Sequence, residues 1–145
     1  MALSRQSVPT LRTDSTENLT AKGGYIISAA NGSPKATLIA TGTEVAIAVA
    51  AQKQLAARGV AVNVVSMPCC ELFDAQSAAY KQAVLGEAPR IAIEAGSAFG
   101  WERYVGLTGK IIAMNGFGAS GKGDEVYEHF GITAENVVEA VEKYL

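Results

Sequence analysis

The chain has 145 residues, a formal net charge of −2, and 49% hydrophobic and 18% charged residues, the size and balance of one globular domain. That charge argues against nucleic acid as a partner. No apolar run approaches the ~20 residues of a membrane span, and the first residues lack the apolar centre of a secretory signal, so a cytoplasmic location is expected.

Residues 1–24 are rich in Ser, Thr and Gln, poor in large apolar residues, and end in Gly23-Gly24. They read as a linker or arm from something preceding, with the domain proper over 25–145. YIIS (25–28) is a short strand candidate, and the turn residues NGSP (31–34) after it suit a hairpin-like or edge position. ATLIAT (36–41) is a continuous apolar run bounded by turn residues, as a buried strand requires. Gly42 breaks it, Thr43 stands where a helix N-cap belongs, and Glu44 falls in the first turn near the positive end of the helix dipole. The helix expected over 44–58 is Ala-rich and apolar nearly all round in its first half, so it should pack closely on a sheet before stopping at Gly59.

VAVNVVS (60–66) is the next strand, ended by Pro68. Asp74 is placed to cap a helix running to about Leu85. RIAIE (90–94) is a strand, GWERYVG (100–106) a short helical turn, and KIIAMN (110–115) a fifth strand. EVYEHF (125–130) reads as a brief helix ended by Gly131. Thr133 caps the last helix, whose Val137, Val138, Val141, Tyr144 and Leu145 recur at helical spacing. Alternating strands and helices with short connections imply an α/β fold, a parallel or mostly parallel sheet of five strands with helices on both faces. Ligands of such folds sit at the carboxyl ends of the strands. Here those ends are TGTE (41–44), SMPCCE (66–71), EAGSAFGW (94–101) and NGFGASGKG (115–123).

Several of these stretches carry candidate chemistry. GFGASGKGD (116–124) comes close to a phosphate-cradling loop: Gly116, Gly118, Gly121 and Lys122 could curl round and reach phosphates. Gly123 replaces the hydroxyl residue that would hold Mg²⁺, however, and the helix that follows is short, so a strand-to-helix turn is the plainer reading. TGTE offers a helix start that could receive an anion, or merely its own cap. His129 has no nucleophile or metal-ligand spacing beside it. Glu71 and Glu94, both at strand ends, could form a carboxylate pair or stay solvated. Phe99, Trp101 and Tyr104 suggest a packing or interface cluster. The adjacent Cys69 and Cys70 would bridge only through a strained ring, so no structural disulfide is expected, while a redox role stays open beside that of two small residues at a strand end. No zinc spacing and no Ser-His-Asp or Cys-His arrangement is present. The residues therefore describe an α/β domain without a self-contained active site, with a module binding a phosphorylated ligand through TGTE or GFGASGKG as an alternative.

ALSRQ (2–6), KGGYII (22–27), ATGTEV (40–45), VVSMP (64–68), LFDAQSAAY (72–80), EAGS (94–97), GWERYVG (100–106), FGASGKG (117–123) and FGITAENVV (130–138) occur in that order. Together they resemble the C-terminal end of transketolase over the whole chain. The resemblance implies a three-layer sandwich whose mixed, mostly parallel five-stranded sheet has one antiparallel edge strand, preceded by a linker (1–24) from the family's middle, pyrimidine-binding domain. It also implies a part in two-carbon ketol transfer between sugar phosphates in the pentose phosphate pathway. The family's thiamine diphosphate and divalent metal (Mg²⁺ or Ca²⁺) are held by the first two domains, so no cofactor or metal ligand is expected here. The expected partners are those N-terminal and middle domains, in the same chain or in a split enzyme, within a homodimer. The part expected of this domain is structural, dimer-supporting or regulatory, and the chain alone should be inactive. In the family the arginine of LSRQ helps bind substrate phosphate, which assigns that role to Arg5 in a complete enzyme. Members that carry Ala-Pro or Lys-Ala-Pro after FGAS remove N–H donors that a phosphate cradle would need.

Overall fold

A computed structural model describes residues 6–14 and 16–145, so Arg5 lies outside the described residues. Five strands form one sheet: β1 Tyr25–Ser28, β2 Ala36–Ala40, β3 Val62–Ser66, β4 Arg90–Ser97 and β5 Lys110–Met114, in the spatial order β1-β3-β2-β4-β5. β2 is buried at every residue because strands flank it on both edges and helices cover both faces. β2 pairs in parallel with β3 and β4, and β4 with β5. β1 closes one edge antiparallel to β3, with Tyr25 opposite Ser66. The expected mixed sheet with an antiparallel edge strand is therefore present. The turn after β1 does not fold it back on β2 as a hairpin, because β3 takes the place between them.

The helices are α1 Glu44–Ala57, α2 Cys70–Asp74, α3 Ala78–Leu85, α4 Glu102–Val105, α5 Gly123–His129 and α6 Ala134–Glu142, with a 3₁₀ turn at Leu19–Lys22. α1 lays the small side chains of Ala48 and Ala51 against the sheet, and α6 packs Val137, Val138 and Val141 beside it over Leu38, Val64, Ile91 and Ile93. α2, α3 and α4 cover the opposite face, burying Phe73, Val84, Leu85, Trp101 and Tyr104 on Ile39, Val65 and Ala92. Each fully buried aliphatic or aromatic side chain contributes roughly 1.5–3 kcal/mol of transfer free energy, so the alternation of faces along β2 (Leu38 one way, Ile39 the other) binds both helical layers to one strand.

Three local expectations are corrected. Thr43 precedes α1 but makes no capping bond to the backbone, because its hydroxyl is drawn to the Glu44 carboxylate. Asp74 ends α2 instead of starting a long helix; the chain turns, and Ser77 caps α3 by accepting from the Tyr80 N–H at 3.2 Å. Tyr144 and Leu145 lie past the end of α6 and are exposed, whereas Thr133 caps α6 as expected, accepting from Asn136 N–H at 3.2 Å.

At the entry to β1 the fold requires glycine. Gly23 has φ +79°, and a Cβ there would meet the Phe73 nitrogen at 2.2 Å and the Cys69 carbonyl oxygen at 2.4 Å. Its own carbonyl accepts from Cys69 N–H at 3.0 Å, which joins the entry to β1 onto the start of α2.

Candidate functional site

The connection from β2 through α1 leads to β3 on one side, and the chain then crosses to β4 on the other side of β2. The loops after β2 and β4 therefore part at the carboxyl end of the sheet, which opens a crevice there. A cavity of about 350 Å³ occupies it, lined among others by Thr41, Cys69, Glu71, Glu94, Trp101 and Arg103. Three of the four strand-end stretches thus meet in one place, as the topology demands.

The groups in this crevice are engaged with one another. Glu94 accepts from Trp101 Nε1–H at 3.1 Å and from Gly96 N–H at 2.7 Å. Glu71 accepts from the Cys69 thiol at 3.4 Å; a backbone hydrogen bond and that thiol hold its carboxyl below the usual range. Asp74 accepts from Arg103 at 2.5 Å and from the Tyr104 hydroxyl at 3.0 Å. Burial, reinforced by Cys70 and Asp74, pushes the Tyr104 hydroxyl well above the ordinary tyrosine value. Glu71 and Glu94 do face one cavity, but each is satisfied by its own neighbours. Trp101 and Tyr104 stack edge to face with ring centroids 5.8 Å apart, while Phe99 stands apart at 91% exposure. The expected aromatic cluster is thus two core residues and one surface residue. Cys69 and Cys70 are both free and half-buried.

TGTE is occupied from within. Glu44 is 4% exposed, and its Oε1 accepts from the Thr43 hydroxyl at 2.6 Å and from the Tyr127 hydroxyl. The Thr43 and Tyr127 oxygens lie 2.7 Å apart. Burial, then the bond to Glu44, pushes the Tyr127 hydroxyl up to about 12. A carboxylate already sits at the positive end of α1, so an anionic ligand would meet like charge at that place.

The glycine-rich loop is open to solvent. Gly116 and Gly118 have nothing within 4 Å of a would-be Cβ, and neither they, Gly121 nor Gly123 has positive φ. Lys122 pairs with Glu125 at 3.2 Å, three residues on. α5 starts at Gly123 and spans 7 residues. The backbone therefore forms a short strand-to-helix turn and does not curl into a phosphate cradle. His129 is exposed, its ring edge-on to Phe130 at 4.9 Å. Among the described residues no group of three or more His, Cys, Asp or Glu is placed to hold a metal. No described helix is long and apolar enough to cross a membrane.

Sequence reasoning missed two networks, Asp74–Arg103–Tyr104 and Thr43–Glu44–Tyr127. Their members lie about 30 and 84 residues apart, and no local spacing signals a contact made only by chain crossings.

Residues 23–133 match a family model described as the transketolase-like TK C-terminal domain. The chain is 52% identical over 145 residues to a transketolase of Sinorhizobium medicae, across 98% of this chain and 21% of that protein. It is 50% identical to the chloroplastic transketolase of Solanum tuberosum, across 99% of this chain and 20% of that protein. The chain thus spans about a fifth of the length of these curated relatives. Among solved structures, transketolase from Pichia stipitis in complex with sedoheptulose 7-phosphate superposes with a TM-score of 0.85 at 38% identity, covering 97% of this chain and 21% of that one. A split-gene transketolase, solved as an inactive beta4 tetramer, shares the fold with a TM-score of 0.75 at 23% identity, covering 97% of this chain and 48% of that one. The match to the family model over the domain and the identity to these relatives agree, and the chain belongs to the transketolase family as its C-terminal domain.

Proposed function

We propose that the chain serves a transketolase assembly that transfers a two-carbon ketol unit between sugar phosphates, and that it is not catalytic alone. The observation that carries this reading is that a match to the family's C-terminal domain coincides with a crevice whose polar groups are paired internally. Thiamine diphosphate and a divalent metal would be held by the other domains and would supply the carbanion chemistry. This domain supports the homodimer, with the two preceding domains on the same or a separate chain. Residues 1–24 are the segment leading into it from the middle domain. The cytoplasm is the proposed location.

Arg5 is proposed to bind substrate phosphate in the complete enzyme, where its planar guanidinium can make paired, charge-assisted bonds to phosphate oxygens. The chain mixed with thiamine diphosphate, Mg²⁺, xylulose 5-phosphate and ribose 5-phosphate should form no sedoheptulose 7-phosphate. Adding the first two domains of a transketolase should restore turnover. Product formed by the chain alone would overturn the proposal. In the restored enzyme Arg5→Ala should raise KM for phosphorylated substrates about tenfold or more, the loss expected of a hydrogen bond to a charged group.

A further inference from the structure

Seven large hydrophobic side chains are exposed among the described residues, and they fall at the two ends of the sheet. Leu107 lies between α4 and β5, at the amino end of β5, and Tyr144 bonds to the Thr108 carbonyl beside it, with Leu145 next in sequence. The other four gather at the carboxyl end. Leu72 is on α2, just beyond β3. Phe99 stands two residues past β4 and Phe117 three past β5, with exposures of 91% and 99%. β4 and β5 are parallel neighbours, so these two rings emerge from adjacent strand ends, which lie roughly 5 Å apart in a sheet. Val8 belongs to the arm, whose residues Gln6–Pro9 share a cavity with Thr43, Gly123, Asp124 and Tyr127, again at the carboxyl end.

We propose that this carboxyl end, with Phe99 and Phe117 as its apolar anchors, is the face on which the preceding transketolase domain docks. The inference rests on the reading of the chain as a transketolase C-terminal domain. The occupant follows from length and direction. The relatives continue for about four fifths of their length beyond the matched part, and because that part is their C-terminal domain, the remainder precedes it. The arm through which it would connect runs over the carboxyl end. Two exposed phenylalanines, each able to bury about 150–250 Å², with the exposed charged residues Glu102, Arg103, Lys122 and Glu125 close by in sequence, supply the apolar anchors and polar groups that an interface combines. Gln6 is seated against Gly123, where a Cβ would lie 1.9 Å from its amide nitrogen, so the arm meets the start of α5, which the loop bearing Phe117 leads into.

The test supplies the first two domains of a transketolase as a separate chain and measures hydrogen exchange, affinity and turnover. Exchange at 97–101 and 115–121 should slow at least tenfold on assembly, while 106–109, at the opposite end, stays unchanged. The double variant Phe99→Ser, Phe117→Ser should bind at least thirtyfold more weakly, and Leu107→Ser should bind within twofold of the parent. Because both phenylalanines are exposed, unfolding midpoints of these variants should match the parent. Turnover restored with 97–101 and 115–121 exchanging as in the free chain would overturn the docking face and leave the functional reading standing. Absence of both binding and turnover in the parent mixture would overturn both. Self-association through these phenylalanines that persists against the added domains would replace the proposed occupant with a second copy.

Discussion

At the scale of single residues, Glu44 is the buried charged side chain among the described residues. A carboxylate at 4% exposure is tolerated because two hydroxyls and the start of α1 surround it. Tyr127→Phe removes one of those donors without changing the shape of the ring. The variant should unfold with about 1–2 kcal/mol less stability, a drop of roughly 2–8 °C in Tm, measurable by thermal and urea denaturation. The same pair sets a pH response. Tyr127 in the folded chain titrates near 12, above the ordinary value of 10.0. The folded state therefore holds this proton more tightly, so the stability is present below pH 10 and is lost as pH rises from about 10 towards 12. Tyr127→Phe should remove its share of that loss, visible when urea midpoints of parent and variant are compared across the window.

At the scale of elements, β2 shows why a continuous apolar run becomes the central strand, and also where that run is flawed. Thr37 is fully buried, and its hydroxyl finds no hydrogen-bond partner among the described residues. A buried hydroxyl left unpaired is costly, and valine has nearly its shape without the polar atom. Thr37→Val should raise the unfolding free energy by about 1 kcal/mol; a lower urea midpoint would show that the hydroxyl is satisfied in solution. The helix boundaries show how far local signals reach. Gly59 (φ +77°) follows α1 as its sequence position suggests, since a left-handed residue just past a helix favours glycine. Asp74 looked equally suited to start a helix, yet it ends α2 and turns to Arg103 and Tyr104, because tertiary partners competed with the backbone for its carboxylate.

At the scale of the whole molecule, the two helical layers share one sheet, and neither can keep its core without the other. Leu38 and Ile39, adjacent on β2, belong to opposite hydrophobic clusters. Unfolding should therefore be a single transition. Fluorescence of Trp101, the chain's one tryptophan, reports the layer of α2, α3 and α4, and far-UV circular dichroism reports all helices. The two probes should give coincident urea curves; separated midpoints would show that the layers melt independently.

The sequence by itself determined the α/β class, the five strands and the family. Each of these depends on patterns a few residues long: apolar runs, glycine breaks, and motifs in a fixed order. Only the tertiary structure decided what the candidate residues do. Glu71 and Glu94 share a crevice but are already bonded, Glu44 fills the helix start that an anion might have used, and Phe99 separates from Trp101 to stand in solvent. These outcomes depend on which strands become neighbours and on side-chain contacts between residues about 30 and 84 apart, a distance over which local sequence periodicity carries no information.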